Sequence, residues 1–254
     1  MVEAFAVASG KGGTGKTTCA VALGMALADR YDVTVVDADT GMANLLFHAG
    51  LADVDTTLHD VLVDGGAPVA AATYDRFGMS VVPCGTSLAA FEAADPERLR
   101  EVVAELAADT DVLLLDSPAT LNSKSAVLPI VLADRVVVVL NPTVPAVSDG
   151  LKVQEYALSY GSGIAGTVFN RVRGDVGDVR TKAERYFEGP TLATVPESDS
   201  VQAARSAGVP LLAHAPETPA AEAFRTAAGR LSPNDGDSGD VAERFRTAVI
   251  PDPP

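Results

Sequence analysis

Near the N-terminus, Gly10-Lys11-Gly12-Gly13-Thr14-Gly15-Lys16-Thr17 joins an apolar run to an Ala/Leu-rich stretch. It satisfies G-x-x-x-x-G-K-[ST], a pattern whose chemistry is phosphate binding. The glycines let the backbone bend so that its N–H groups converge on one anion. The N-terminus of the following helix adds its positive dipole end. Lys16 is expected to reach the β- and γ-phosphates of a nucleotide, and the Thr17 hydroxyl to ligate Mg2+. Gly12, Gly13, Thr14, Gly15 and Thr18 complete the expected cradle. A chance glycine-rich turn does not explain so many fixed positions between a strand and a helix. A second cation, Lys11, opens the loop, where it would sense charge on a γ-phosphate.

Three carboxylates close apolar runs further on. Val35-Val36-Asp37-Ala38-Asp39 puts two of them at one strand end, and Leu113-Leu114-Leu115-Asp116 puts one at another. An acid there can hold Mg2+ through its water shell. It can also orient a water or take its proton. A strand-end cap is the plainer alternative for Asp116, but the upstream phosphate loop favours the metal role. Val168-Phe169-Asn170-Arg171 closes a late run, and an Asn amide offers both a donor and an acceptor. Cys19, Cys84, His48, His59 and His214 have no metal-ligand or disulfide-framework spacing and read as packed side chains.

These groups need a scaffold that brings strand ends together. Apolar runs read as strands at Phe5–Ser9, Val33–Asp37, Ser80–Pro83, Val112–Asp116, Val136–Leu140, Ala165–Asn170 and Leu192–Val195. Helical patterns fall at Ala20–Asp29, Pro96–Ala108, Ser148–Ser159, Val179–Phe187, Ser200–Ala207 and Ala220–Leu231. Strands apolar at nearly every position are buried on both faces. The expected fold is therefore α/β, a single-domain P-loop NTPase. Its mostly parallel, roughly seven-stranded sheet is covered by helices on both faces. Ligands of such sheets lie at the carboxyl ends of the strands. The domain is expected over 1–231. Residues 232–240 read as an acidic flexible linker, and 241–254 as a short tail with a helix over Val241–Ile250.

With 47% hydrophobic residues and no run near the length of a membrane span, the chain reads as globular and cytoplasmic. The N-terminus lacks the basic start of a signal peptide. Net charge is −15, and only Lys11, Lys16, Lys124, Lys152 and Lys182 supply lysine. Such a balance fits a high-salt, halophilic cytoplasm and argues against a broad nucleic-acid face.

The KGGTGKT spelling resembles the deviant Walker A loop of the MinD/ParA family of P-loop ATPases, closest to its archaeal MinD-like members. That resemblance runs from about Phe5 to Leu231. It implies that Lys11 reaches the nucleotide of the partner subunit. It makes Asp37-Ala38-Asp39 the first switch segment, with Asp39 positioning the attacking water and Asp37 supporting Mg2+ beside Asp116. It assigns Asn170 and Arg171 to adenine reading, with Pro196 and Val201-Gln202-Ala203-Ala204 over the base. Gly41–Leu45 and Thr57–Leu62 also match, which makes His59 a structural position. Asn141-Pro142, Ser148-Asp149 and Lys152 match a segment near the dimer and partner-binding surface. Ser117-Pro118-Ala119-Thr120 departs from the family, which usually has glycine at Thr120. A β-branched residue tolerates fewer backbone shapes, so γ-phosphate sensing would change and hydrolysis slow.

By this resemblance the chain is a MinD-like ATPase, slow and stimulated by an unidentified protein partner. ATP with Mg2+ would drive homodimerisation, and hydrolysis would reset it, to position division, motility or polarity machinery. An ATP-binding scaffold with little hydrolysis is the main alternative. A ParA-like DNA-partition role lacks a basic face, and an iron–sulfur carrier lacks paired cysteines. A peripheral membrane or polar location stays open. The tail has Val241, Ala242, Phe245, Ala248 and Val249 roughly on one face. It is short, however, and has no cationic excess, so it does not support an anchor.

Overall fold

The computed structural model describes residues 2–234 and 236–249. The apolar runs form strands β1 (Glu3–Ala8), β2 (Val33–Asp37), β3 (Tyr74–Arg76), β4 (Met79–Val82), β5 (Val112–Asp116), β6 (Arg135–Leu140), β7 (Gly163–Val172) and β8 (Thr191–Pro196). They make one sheet in the order β3-β4-β2-β5-β1-β6-β7-β8. Every pairing is parallel except that of β3 with β4. Strand β1 lies between β5 and β6, so the loop leaving it opens into the crevice where the sheet order reverses direction.

The helices are α1 (Lys16–Leu27), α2 (Leu45–His48), α3 (Leu58–Val61), α4 (Leu88–Ala93), α5 (Leu99–Leu106) and α6 (Lys124–Leu132), then α7 (Val144–Ser159), α8 (Gly177–Tyr186), α9 (Asp199–Ser206), α10 (Leu211–His214), α11 (Pro219–Arg230) and α12 (Ser238–Thr247). The strand period of two sends alternate side chains to opposite faces. Leu114 of β5 belongs to the same buried cluster as Leu23 and Leu27 of α1 and Phe224 of α11. Its neighbours Leu113 and Leu115 belong to the cluster on the other face, with Val102 and Val103 of α5, Leu132 of α6 and Phe245 of α12. Helix α1 approaches the sheet closely because it carries Gly24. A Cβ there would stand 2.7 Å from Val35 Cγ2 and 2.8 Å from Met79 Sδ.

Among the described residues the sheet has eight strands, not roughly seven. The extra one, β3, is a three-residue antiparallel edge strand turned into β4 through Phe77 (φ 54°) and Gly78 (φ 83°). Two successive positive φ angles make the tight turn whose twist matches paired strands. Tyr74-Asp75-Arg76 is too short and polar to show an alternating pattern. The stretch expected as one helix, Pro96–Ala108, is a 3-10 turn over Pro96–Arg98 followed by α5. Helices α2, α3, α4, α6 and α10 fall outside the expected set.

The tail helix begins at Ser238, capped by the Asp237 side chain, inside the stretch read as linker. Its expected end at Ile250 and residues 251–254 lie outside the described residues. Val241, Ala242 and Phe245 are buried in the core facing α5. The preceding segment is tied to β1: buried Glu3 accepts from Asn234 N at 2.6 Å and from Arg135 Nε at 2.6 Å, and Arg135 Nη2 donates to Ser232 O at 2.7 Å. Arg244 of α12 pairs with Asp134, whose other oxygen accepts from Ala4 N at 2.8 Å.

Candidate active site

The phosphate loop leaves β1 at Ala8 and enters α1 at Lys16. Gly13 (φ 76°) and Gly15 (φ 93°) take left-handed conformations that L side chains rarely adopt. Gly10 is required by proximity instead: a Cβ there would lie 2.2 Å from the Asp149 carbonyl of α7. Ser9 Oγ donates to Lys11 O at 2.7 Å and steadies the first turn. On the other side, the buried Asn170 amide donates to Thr14 O at 2.8 Å and its Oδ1 accepts from Arg171 N at 3.0 Å. Asn170 thereby braces the loop, and Arg171 beside it is held at φ 57°.

Adjacent strand ends supply the acids. Asp37 and Asp116 are register partners across β2 and β5, and Val7 of β1 pairs with Asp116. Both carboxylates are buried. Asp37 Oδ2 accepts from Leu45 N at 3.2 Å. Among the described residues, Asp37 Oδ1, Asp116 Oδ1 and Thr14 Oγ1 have no hydrogen-bond partner. Burial pushes Asp116 up to about 7, opposed by a hydrogen bond from Thr17 and by Lys16. Burial and the charge of Asp116 push Asp37 well above the usual carboxylate range. Burial also pulls the Lys16 ammonium down, with Asp116 and Asp39 opposing it. Unpartnered buried oxygens on two acids, beside a threonine hydroxyl, are costly alone and suit a hard divalent cation. The residues therefore fit Mg2+.

Asp39 is half-buried at the next turn. Its Oδ1 accepts from Met42 N at 3.1 Å, and burial raises its carboxyl against the pull of Lys16. A cavity of about 720 Å3 opens beside the loop, lined by Gly15, Thr18, Asn170, Arg171, Pro196 and Gln202 among others. It joins a phosphate loop to groups able to enclose a base and a sugar. A separate cavity of about 570 Å3 along β8, lined by Arg180, Glu184, Glu222 and Arg230, is away from this constellation.

Residues 5–211 match the CobQ/CobB/MinD/ParA nucleotide binding domain. The chain belongs to that family. It is 40% identical over 214 residues to an uncharacterized ATP-binding protein of Methanocaldococcus jannaschii, a match covering 83% of this chain and 80% of that protein. The cell division ATPase MinD of Pyrococcus furiosus superposes with a TM-score of 0.83 at 36% identity, covering 91% of this chain and 98% of that one. The septum site-determining protein MinD of Pyrococcus horikoshii, solved with Mg-ADP, gives 0.82 at 33% identity over 90% of this chain and 95% of that one.

Within this MinD/ParA-type domain, Lys16, Thr17, Asp37, Asp39 and Asp116 gather around the phosphate loop. Thr18, Asn170, Arg171 and Pro196 line the adjoining cavity. Lys11 is half-buried on the loop, and Gly12 touches the segment after β5, its Cβ position 3.6 Å from Ala119 Cβ. Thr120 is exposed just beyond. Among described non-glycine residues only Phe77 and Arg171 have positive φ, so Thr120 is not in the left-handed region that favours glycine. Two features escaped the sequence reading. The Asn170 brace is a tertiary contact between residues 156 apart. His48 of α2 lines the cavity, pushed down to about 4 by burial and then by Arg205. The short helix that carries it gave no periodic signal.

Proposed function

We propose that the protein is a MinD-like ATPase in which ATP with Mg2+ closes two subunits and hydrolysis releases them. The paired, unpartnered oxygens of Asp37 and Asp116 beside Lys16 and Thr17 carry this reading. Thr17, Asp37 and Asp116 would hold Mg2+, which when bound would supply positive charge to the nucleotide's phosphates. Lys16 and the loop N–H groups neutralise the same phosphates. Asp39 orients a water and accepts its proton. Water attacks the γ-phosphorus, the bond to the ADP oxygen breaks, and phosphate and ADP leave. Lys11 binds the nucleotide of the facing subunit, so loss of the γ-phosphate weakens the interface. Met42 (66% exposed), Leu88 (68%) and Phe91 (40%) form an apolar rim on the first switch and α4, which a subunit interface would cover.

The dimer would position cellular machinery through a protein partner, in a high-salt cytoplasm suited to the net charge of −15. Among the described residues no helix is long and apolar enough to cross a membrane. The apolar residues of α12 are already spent in the core, which weakens the case for a tail anchor.

A second reading, an ATP-bound scaffold with little hydrolysis, rests on Thr120. Its β-branch stiffens the segment that touches Gly12. Steady-state turnover in molar KCl separates the two. The ATPase reading expects turnover in the wild type, lost at least about a thousandfold in Lys16→Ala. Absent wild-type turnover that appears in Thr120→Gly would establish the scaffold instead.

A further inference from the structure

The segment carrying Asp39 is held from below by one buried side chain. His59 is buried on α3, and its Nε2 stands 2.9 Å from the carbonyl oxygen of Thr40. A carbonyl only accepts, so Nε2 carries the proton and donates. The ring's other nitrogen, Nδ1, has no hydrogen-bond partner among the described residues. A histidine serving only to fill space would leave a hydrophobe of the same size as the better choice, because a buried unpaired nitrogen costs stability.

The ring is itself fixed on two sides. Helix α3 starts with a capping box, Thr57 N and Thr57 Oγ1 both donating to Asp60 Oδ2 at 2.8 Å. Leu58 N donates to Pro83 O at 2.8 Å, anchoring α3 to the end of β4. Phe91 of α4 meets the imidazole edge-on, with centroids 6.2 Å apart and planes at 68°. The same phenyl ring lies beside Gly41, where a Cβ would make ordinary contact, 3.9 Å from Phe91 Cε2. Thr40 is buried between these supports, and Asp39 precedes it directly. Asp39 Oδ1 and its own carbonyl both take Met42 N, so the turn around it is a local loop with no sheet partner beyond Ala38. Its orientation toward Lys16 depends on what holds Thr40.

We propose that His59 is a positioning residue for ATP hydrolysis, fixing the Thr40 peptide and through it the Asp39 carboxylate. His59 is buried and does not line the cavity beside the phosphate loop. The inference rests on the ATPase reading above, with Asp39 as the group that handles the attacking water. Displacing such a group by a fraction of an ångström to an ångström costs turnover far more than binding. The phosphate loop and the base cavity do not involve His59, so nucleotide affinity is unaffected by its loss.

The test compares kcat, KM for ATP, Mg-ADP affinity and melting temperature for the wild type, His59→Phe and His59→Gln. Phenylalanine keeps the ring volume and removes the donor. Glutamine places an amide N–H near the Nε2 position. The expected result is a kcat about tenfold or more lower in His59→Phe, with KM and Mg-ADP affinity within about twofold, and recovery of most of the loss in His59→Gln. Unchanged kcat in His59→Phe overturns the proposal. So do equal losses in both variants, a joint shift of kcat, KM and melting temperature, or failure of His59→Phe to fold, since each marks a purely structural residue. Absence of turnover in the wild type itself sinks the ATPase reading, and is seen before any variant is compared.

Discussion

Asp116→Asn is expected to raise the melting temperature of the nucleotide-free protein by about 10 °C at pH 8 while abolishing its stabilisation by ATP with Mg2+. The carboxyl titrates near 7 in the folded protein because it is buried, against about 3.9 in an unfolded chain. A raised acid favours the fold while it is protonated. That contribution is complete below about pH 4, and is lost as pH rises to 7. At ~1.4 kcal/mol per pH unit the loss is about 4 kcal/mol. Asparagine stays neutral, and it also removes the charge that helps push up Asp37. Thermal melts of wild type and variant from pH 5 to 8 in molar KCl, with and without ATP and Mg2+, check this. Parallel pH profiles for the two proteins would mean that Asp116 carries no such penalty. A bound cation and nucleotide would offset that penalty, so ligand is expected to have a large effect on the fold.

Phe245→Ala is expected to destabilise the protein by about 3–5 kcal/mol while leaving ATP turnover per folded molecule unchanged. Phe245 is fully buried although only nine residues follow it in the sequence. It packs with Leu99, Val102 and Val103 of α5, and Arg100 Nη1 donates to Ala248 O at 3.0 Å beyond it. The tail segment is anchored through Asn234 on Glu3 and Arg244 on Asp134, at the strand ends opposite the phosphate loop. Denaturant midpoints combined with steady-state turnover read both quantities. A shift below about 1 kcal/mol would show the helix to be undocked in solution. Its apolar face would then be free for a partner or a lipid surface.

The placement of the loop and the acids at the strand ends was legible because it is local. Gly10 to Thr17 announces a phosphate loop by spacing alone, and Asp37 and Asp116 each terminate a run that is buried on both faces. What sequence could not show is contact between distant segments. The amide of Asn170 braces the loop at Thr14, and neither residue's neighbours carry a sign of the other. His59 was legible only as a packed residue, because its bond to Thr40 depends on how α3 sits under β4. Helix α6 was missed since Pro129 interrupts a run apolar all round, which leaves no helical period. Strand β3 was missed because its pairing is set by the Phe77-Gly78 turn rather than by a hydrophobic pattern. The tail reads as amphipathic in sequence, and that reading does not say whether the apolar face meets a membrane or its own domain. In the structure Val241, Ala242 and Phe245 of that face are buried against α5.

The most direct test of the switch is the mass of the protein in solution, by light scattering after gel filtration in molar KCl, as nucleotide is varied. Monomers are expected without nucleotide and with ADP, dimers with ATP and Mg2+, and a return to monomers as the ATP is consumed. Lys11→Ala should bind ATP yet remain monomeric. A mass that does not change with nucleotide, or a Lys11→Ala protein that dimerises as the wild type does, would contradict it.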